Sequence, residues 1–383
     1  MVNPLVLAML ICCIAVPAAS AQTTMLRVEI PGTPKRLHGS DGREHINYDL
    51  VITNAFTGPA TLTSVTVNAG ARRLLTLTGD ELANATHQTT VPADPMTTIP
   101  ASSTVVTLLD VALPRSAGRR VPRRLTTKVH YFMPPDTVLG AAIDSRTVRL
   151  TSRVDQRRPI RIASPLRGPG WMSANGCCAD PTSPHRNLLL VANGRYVTPE
   201  MFAIDYLKVV DGRVFSGDGS QNSDYFGEGA PIHSATAGTV ISAVNNRPEV
   251  PPGLPATGNP TVTNPLQFAG NSVVVRVRRG VYAAYAHMQE GSVRVRRGQR
   301  VRRGQVIGQL GNSGNTTAAH LHFGIQDGPD LFTSNSLPFE LPRFRFEGTA
   351  VLNADLTAID LTGTPRNVRR SYPLITDVAS YPG

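Results

Sequence analysis

Residues 314–323 have the sequence GNTTAAHLHF, which places two histidines one residue apart in an apolar, strand-like run. Because side chains alternate along a β-strand, His320 and His322 are predicted to point to one face, while Leu321 and Phe323 point into a core behind them. Imidazole is the commonest metal ligand, and a hydrolytic zinc needs three protein ligands and one open position for water. Such pairs also occur as surface or hydrogen-bonded histidines, so the prediction of a metal site depends on further ligands elsewhere in the chain.

Two upstream segments contain residues that such a site would need. Residues 282–288, YAAYAHM, form an apolar alternating run with His287 near its end. Residues 202–206, FAIDY, set Asp205 between large apolar side chains. A carboxylate among such neighbours is costly to bury unless it is paired or coordinates a metal. His287 and Asp205 are therefore candidate site residues.

The order of these motifs, FAIDY followed by AYAHM and then by GNSGNTTAAHLHF, resembles the lysostaphin-type peptidoglycan metalloendopeptidases. The resemblance extends from residue 165 to residue 339. It implies a zinc peptidase domain with His322 and Asp205 as zinc ligands. It also implies that His287 and His320 face the substrate, where they handle protons or transition-state charge. The physical logic agrees, because a zinc-bound water needs a nearby base and a hydrogen-bond donor.

The first zinc ligand is the one departure from the family pattern. The family usually supplies a histidine four residues before the aspartate, and here that position is Met201, whose thioether is a poor zinc ligand. We expect His185, in the segment SPHR, to replace it, because a subset of the family resembles this chain in having an HR element, a hairpin and then the AID strand. Asn193-Gly194 predicts the two-residue turn of that hairpin. The competing candidate is His233, which is otherwise a partly exposed strand histidine.

Composition and patterning predict an all-β protein. The chain has 383 residues, 41% of them hydrophobic, and short β-branched runs alternate with turn residues. Residues 22–160 show the pattern of an immunoglobulin-like β-sandwich, here an accessory domain. The resemblance implies a zinc metallopeptidase domain over residues 161–345, an antiparallel β domain similar to biotinyl/lipoyl-hybrid barrels, and residues 346–383 remain as a C-terminal extension. Two insertions, 211–229 and 245–270, are expected to border the cleft.

Residues 1–21 predict a secretory signal peptide. They are apolar and end in Ala19-Ser20-Ala21, the small-x-small pattern of a cleavage site, although no Lys or Arg precedes the apolar core. That core is short for a membrane span, which disfavours an uncleaved anchor. Ile11 before Cys12 disfavours a lipid anchor. We therefore expect a periplasmic or secreted protein that begins at Gln22 and has no integral membrane span after cleavage.

The net charge of +11 comes mainly from arginine. The densest run, residues 293–305, alternates valine with arginine and repeats a Gly-Gln ending, which is typical of β-hairpins with an apolar inner face and a charged outer face. This pattern favours a solvated surface over a nucleic-acid site. The predicted partners are peptidoglycan peptides, and the cationic surface would be drawn to anionic cell-wall polymers in a salt-dependent way.

Cys177 and Cys178 are the two cysteines outside the predicted signal peptide. Neighbouring cysteines bond to each other only with strain in the intervening peptide. Buried thiols, a strained vicinal disulfide and an intermolecular bridge all remain open for this pair.

Two functions other than hydrolysis are compatible with parts of the sequence. The Val/Gly repeat of residues 293–311 resembles the hairpins of biotinyl and lipoyl carrier domains, but no lysine stands at a hairpin tip. The stronger alternative is a catalytically inactive lysostaphin-like domain that binds the wall or regulates another hydrolase. Inactive members would be expected to lose ligands, and here only the first ligand position departs from the family pattern.

Overall fold

The computed structural model describes residues 24–88, 94–117, 120–133, 146–178, 180, 183–253, 264, 267–353 and 358–383. Within these residues the chain forms strands β1 to β27 and two short α-helices, which confirms the predicted all-β class. The predicted signal peptide lies outside the described residues. In the described part of the chain, no helix is long and apolar enough to cross a membrane.

The first ten strands and one helix are β1 (Leu26–Glu29), β2 (Lys35–His38), β3 (Glu44–Asn54), β4 (Ala60–Ala69), β5 (Arg72–Leu77), α1 (Gly79–Asn84), β6 (Thr86–Gln88), β7 (Thr98–Ile99), β8 (Thr104–Ala112), β9 (Arg124–Phe132) and β10 (Thr147–Arg153).

These ten strands form two sheets that share one hydrophobic core. One sheet has the order β1-β3-β8-β6 with β2 added to β3, and the other has the order β10-β9-β4-β5 with β7 added to β4. The core between them contains Ile46 and Leu50 of β3 together with Val65 of β4 and Val129 of β9. The arrangement is a two-sheet sandwich, and its finer assignment as immunoglobulin-like stays a prediction.

The later elements are β11 (Ile160–Arg161), β12 (Gly168–Ala174), α2 (Pro184–Asn187), β13 (Leu190–Ala192), β14 (Arg195–Val197), β15 (Ile204–Lys208), β16 (Pro231–His233), β17 (Gly238–Val244), β18 (Asn271–Arg278), β19 (Val281–Met288), β20 (Arg300–Val301), β21 (Val306–Gln309), β22 (Leu321–Gln326), β23 (Ser336–Leu337), β24 (Phe339–Leu352), β25 (Ile359–Thr362), β26 (Arg366–Ser371) and β27 (Asp377–Tyr381).

Most of these strands belong to one large mixed sheet. Its order is β11-β24-β27-β12-β15-β22-β19-β18-β17-β20, with β23 added to β22 and with β25 and β26 added to β24. Leu321 and Phe323 of β22 are buried in its core, as predicted. Strand β27 lies between β24 and β12, and β25 and β26 pair with β24, so the described strands after residue 345 belong to the same sheet. The predicted boundary after residue 345 falls inside β24, and the division into domains stays a prediction.

The hairpin predicted ahead of the AID strand is present. Strands β13 and β14 pair with Leu190 opposite Val197. The turn residues Asn193 and Gly194 have φ angles of 50° and 71°. A type I′ turn requires positive φ at both central residues, and Asn-Gly adopts this conformation at low cost. The hairpin returns the chain from α2 toward β15.

The sandwich supports the loop that contains His185. Its outer surface packs against Leu189, which precedes β13, and against Tyr196 of β14. Beside this contact, Arg186 Nη2 donates to Asp49 Oδ1 of β3 at 2.8 Å, and both side chains are buried. Helix α2 is therefore fixed to the sandwich by an ion pair next to the candidate ligand.

Breaking this buried ion pair is expected to destabilise the protein strongly. Arg186→Ala leaves the Asp49 carboxylate buried without its partner, and such a loss costs about 3–5 kcal/mol. The free energy of unfolding from chemical denaturation should fall by that amount. Arg27→Ala is the control, because Arg27 pairs with Glu29 at an exposed position where an ion pair contributes about 0–1 kcal/mol. Equal stabilities of the two variants would contradict the supporting role of Arg186.

The structure joins Cys177 to Cys178 in a vicinal disulfide, one of the three states that the sequence leaves open. Both cysteines are buried. The backbone N–H of Cys177 donates to the Tyr372 hydroxyl at 3.2 Å, and Arg186 Nε donates to the Cys178 carbonyl. The disulfide thus lies between β12 and α2, in the loop that leads to His185.

The arginine-rich run of residues 293–305 differs in part from the predicted hairpins. It contains one two-residue strand, β20, and two similar turns. In these turns the N–H groups of Arg296 and Arg302 donate to the side-chain oxygens of Gln299 and Gln305, each at 3.1 Å. Valines 295 and 301 are buried while the arginines of the run are exposed. Buried valines alternate with exposed arginines as predicted, but most of these residues lie in turns and not in strands.

Candidate metal centre

Three adjacent strands bring the predicted site residues together. In the register of the sheet, Asp205 of β15 lies opposite His322 of β22, and Ala286 of β19 flanks His322 on the other side. Directly opposite residues have Cβ atoms about 4.5–5.5 Å apart, so strand pairing alone sets Asp205 beside His322. His287 follows Ala286 near the end of β19, and His320 stands just before β22.

The contacts of Asp205 define the centre. Its Oδ1 lies 2.9 Å from His322 Nδ1 and 3.4 Å from His320 Nε2. Its Oδ2 lies 3.2 Å from His185 Nε2. His320 and His322 both contact the same carboxylate oxygen. Their side chains therefore point to one face, as the His-x-His spacing predicts. The structure therefore gathers three of the four histidines predicted for the site around one buried carboxylate.

His185 reaches this centre from helix α2. Its Nδ1 lies 3.2 Å from the Ala203 carbonyl, which can only accept, so Nδ1 carries a proton and Nε2 is the ring nitrogen that faces Asp205. Burial opposes charge on this imidazole, but the Asp205 and Glu200 carboxylates outweigh burial and raise the pKa of His185 to about 9. A metal cation at this position would take the place of that proton.

The competing candidate for the first ligand, His233, lies elsewhere. It is on β16, which pairs with β21, and its Nδ1 contacts the Gly304 carbonyl at 3.0 Å. Met201, at the family's usual ligand position, is buried in the hydrophobic core. Of the three, only His185 contacts Asp205 among the described residues.

His185, Asp205 and His322 form a group whose potential ligand atoms all lie within 4.8 Å of one another. All three residues are buried. Two imidazole nitrogens and one carboxylate oxygen are a donor set that suits zinc, so these residues fit the metal implied by the sequence. The other such group in the described part of the chain includes Cys178, whose sulfur is disulfide-bonded.

His287 is held in an uncommon backbone conformation. Its φ is 60°, a costly value for a residue other than glycine that is often found at functional sites. Its N–H donates to Ala269 at 3.0 Å and its carbonyl accepts from Gly311 at 3.1 Å. The ring Nδ1 donates to the Ser313 carbonyl at 2.8 Å, which leaves the lone pair on Nε2. Burial, together with the neighbouring His320 and His322, lowers the pKa of His287 to about 3.

His320 lies beside His287, with ring centroids 4.8 Å apart, but its environment favours the opposite protonation state. Its Nδ1 donates to the Ala318 carbonyl at 2.8 Å. Burial opposes protonation of the ring, but the Asp205 carboxylate outweighs burial and raises the pKa of His320. Two neighbouring groups whose pKa values are driven apart can act as a base and an acid.

Asp205 itself stays ionised. Burial would raise its pKa, but His185 and His320 outweigh burial and hold the pKa well below its usual range. Asn175 Nδ2 also donates to Asp205 Oδ2 at 2.8 Å. The carboxylate is therefore a strong anionic ligand at neutral pH.

Two residues of this centre, Asn175 and Glu200, were not predicted from the sequence. Glu200 lies 3.8 Å from His185 and 3.9 Å from His322. Glu200 could have been predicted from the sequence, because it is a carboxylate in the same apolar segment as Asp205. Burying its charge costs free energy for the same reason. Asn175 has no comparable signal, since its contact arises only when β12 pairs with β15.

The two insertions adjoin the segment that leads to His320. Asn222 of the first insertion donates through Nδ2 to the Val250 carbonyl of the second at 2.9 Å. Asn312 contacts both, since its Nδ2 donates to Asn222 Oδ1 at 2.8 Å and its N–H donates to Glu249 Oε1 at 2.9 Å. The described parts of both insertions are thereby tied to the loop before the His-x-His strand.

Residues 221–333 match the family model of Peptidase family M23. This range includes His287, His320 and His322, and it begins after His185 and Asp205. The match confirms the lysostaphin-type resemblance drawn from the motifs. Residues 221–333 are therefore similar to M23 peptidase domains.

The chain is similar to two peptidoglycan DD-endopeptidases of Vibrio cholerae. It is 42% identical to ShyC over 57 residues, which are 15% of this chain and 13% of ShyC. It is 41% identical to ShyA over 56 residues, which are 15% of this chain and 13% of ShyA. The matches thus span only a small part of each relative's length. Among solved structures, the catalytic domain of lysostaphin from Staphylococcus simulans is similar at 21% identity and a TM-score of 0.22, over 38% of this chain and 80% of that chain.

Proposed function

We propose that this chain is an exported zinc metalloendopeptidase that hydrolyses peptide bonds in peptidoglycan stems or cross-links. The observation that carries the proposal is the buried cluster of Asp205 and four histidines, three of whose members form a potential metal site. The M23 match and the similar DD-endopeptidases support peptide hydrolysis in peptidoglycan. The apolar start and the Ala19-Ser20-Ala21 pattern support export.

His185 Nε2, the Asp205 carboxylate and His322 Nδ1 are the atoms that would hold the zinc. Bound zinc supplies a Lewis acid for the scissile carbonyl and lowers the pKa of water toward neutrality. The chain's own contribution is a low-pKa carboxylate and two imidazoles held close together. Their burial keeps bulk water away and strengthens each electrostatic contact.

His287 and His320 would handle the protons of the reaction. The free lone pair of His287 is on Nε2, which makes this atom a proton acceptor for the attacking water. The Nδ1–H of His320 donates a hydrogen bond to the Ala318 carbonyl. When the ring is protonated, its Nε2–H can donate to the developing oxyanion or to the leaving amine. The two rings are 4.8 Å apart, close enough to act on one peptide group.

The decisive experiment digests purified peptidoglycan with the purified chain and identifies new peptide termini by mass spectrometry. We expect new amino and carboxyl termini with the zinc-loaded protein, none after chelation, and recovery when zinc is returned. Sedimentation with the wall is measured in parallel. Wall binding without new termini from the zinc-loaded protein would support the inactive, wall-binding alternative and defeat the proposal.

A further inference from the structure

Glu200 is a buried carboxylate at the edge of the metal centre. It precedes Asp205 by five residues and is 5% exposed. Its Oε2 lies 3.8 Å from His185 Nε2, and its Oε1 lies 3.9 Å from His322 Nε2. A carboxylate is costly to bury unless its neighbours stabilise it, so its position between both candidate histidine ligands needs a physical reason.

The tautomer of His322 supplies that reason. Its Nδ1 lies 2.9 Å from Asp205 Oδ1 and is the atom placed to share a metal with that carboxylate. A neutral imidazole that binds metal through Nδ1 carries its proton on Nε2. This Nε2 is buried and makes no hydrogen bond to any described residue, and the carboxylate oxygen within 3.9 Å of it is Glu200 Oε1.

We propose that Glu200 is a positioning residue whose carboxylate accepts the Nε2–H of His322 and holds that ring with Nδ1 toward Asp205. The inference rests on the proposed function, since it takes His322 as a zinc ligand. Histidines that bind metals almost always donate their second N–H to a carboxylate, carbonyl or water, which fixes the ring and makes the ligand nitrogen more basic. An approach of about 1 Å would turn the present contact into a charge-assisted hydrogen bond.

Glu200 also supplies charge where a divalent cation would need it. Among the three candidate ligands only Asp205 is anionic, so a buried dication would keep an excess positive charge. The Glu200 carboxylate lies within 4 Å of both imidazole ligands, where it offsets part of that excess. Ordering of His322 and charge compensation both predict that Glu200 increases zinc affinity.

The test compares zinc affinity in Glu200→Ala, Glu200→Gln and the parent chain by competition with a chromophoric chelator. Loss of a carboxylate partner of a metal-binding histidine typically weakens the metal about 10- to 100-fold, and Glu200→Ala should fall in this range. Glu200→Gln should bind more tightly than Glu200→Ala, because its amide oxygen still accepts a hydrogen bond. Glu44→Gln is the matched control, since Glu44 is a buried carboxylate of the sandwich and its loss should leave zinc affinity unchanged.

Two further measurements separate positioning from other roles. The visible spectrum of the Co²⁺-substituted protein should keep its intensity in Glu200→Gln, because the number of ligands is unchanged. A change in band intensity or position that reports an altered coordination sphere would make Glu200 a direct ligand and overturn the proposal. In the zinc-loaded parent, ¹⁵N resonances of His322 should show a protonated, hydrogen-bonded Nε2, and the opposite tautomer would also overturn it. Neither measurement depends on Glu200→Ala being folded.

These outcomes distinguish the inference from the proposed function. If the parent chain binds zinc and cleaves peptidoglycan while Glu200→Ala, folded by circular dichroism, binds zinc as tightly as the parent, only the role of Glu200 is wrong. If the parent chain binds no zinc, the proposed function fails and the inference fails with it. If the parent binds zinc but cleaves no wall, the affinity comparison still decides the role of Glu200.

Discussion

His185→Ala is expected to lose zinc and peptidoglycan hydrolysis together, whereas His233→Ala should keep both. His185 Nε2 lies 3.2 Å from Asp205, so its removal deletes one of three potential ligands. His233 instead contacts the Gly304 carbonyl and is not part of that group. Zinc per chain, measured by elemental analysis after gel filtration, should fall from about one to near zero in His185→Ala.

A second ligand variant provides the control for this comparison. His322→Ala should also lose the metal, because His322 Nδ1 shares the Asp205 carboxylate with His185. Circular dichroism of all three variants shows whether the sheet is intact. Stoichiometric zinc and full activity in His185→Ala, with loss of both in His233→Ala, would make His233 the first ligand and the present assignment wrong.

The centre of the site could be predicted because its determinants are local. Strand alternation orients His320 and His322, and the cost of burying a charge singles out Asp205 in FAIDY. The proximity of His185 to Asp205 was predicted from the family resemblance together with the tight turn that Asn193-Gly194 specifies. The inferences from strand alternation and from burial need only a few consecutive residues, and the structure gathers the side chains as expected.

The features that were missed depend on contacts between distant parts of the chain. Arg186 and Asp49 are 137 residues apart in sequence, and nothing local in either segment indicates that they pair. Strand β27 enters the sheet between β24 and β12, a crossover that hydrophobic patterning cannot specify. The disulfide was one of three open states for Cys177 and Cys178 because partner choice depends on the folded loop.

These long-range contacts bear on the site because they fix its least regular part. Asp205 and His322 are held by the ladder between β15 and β22. His185 lies instead on a four-residue helix, which is too short to be stable alone. The ion pair to the sandwich, the disulfide and the type I′ hairpin all border this helix. We infer that the sandwich stabilises the position of His185, the candidate first ligand.

His287→Ala and His320→Ala are each expected to keep zinc but to lower turnover by about 10²- to 10⁴-fold, the effect typical of losing a general acid or base. Neither residue belongs to the group of three potential ligands, so the metal should remain. Their environments assign different roles, because burial and nearby imidazoles lower the pKa of His287, whereas Asp205 raises that of His320 against the effect of burial. Turnover of a defined cross-linked muropeptide, reported with zinc content for each variant, measures the effect.

The turnover of the double variant should fall by much less than the product of the two single losses, because groups that serve one reaction step are not independent. Loss of zinc in His287→Ala, or full turnover in either single variant, would contradict the assigned roles.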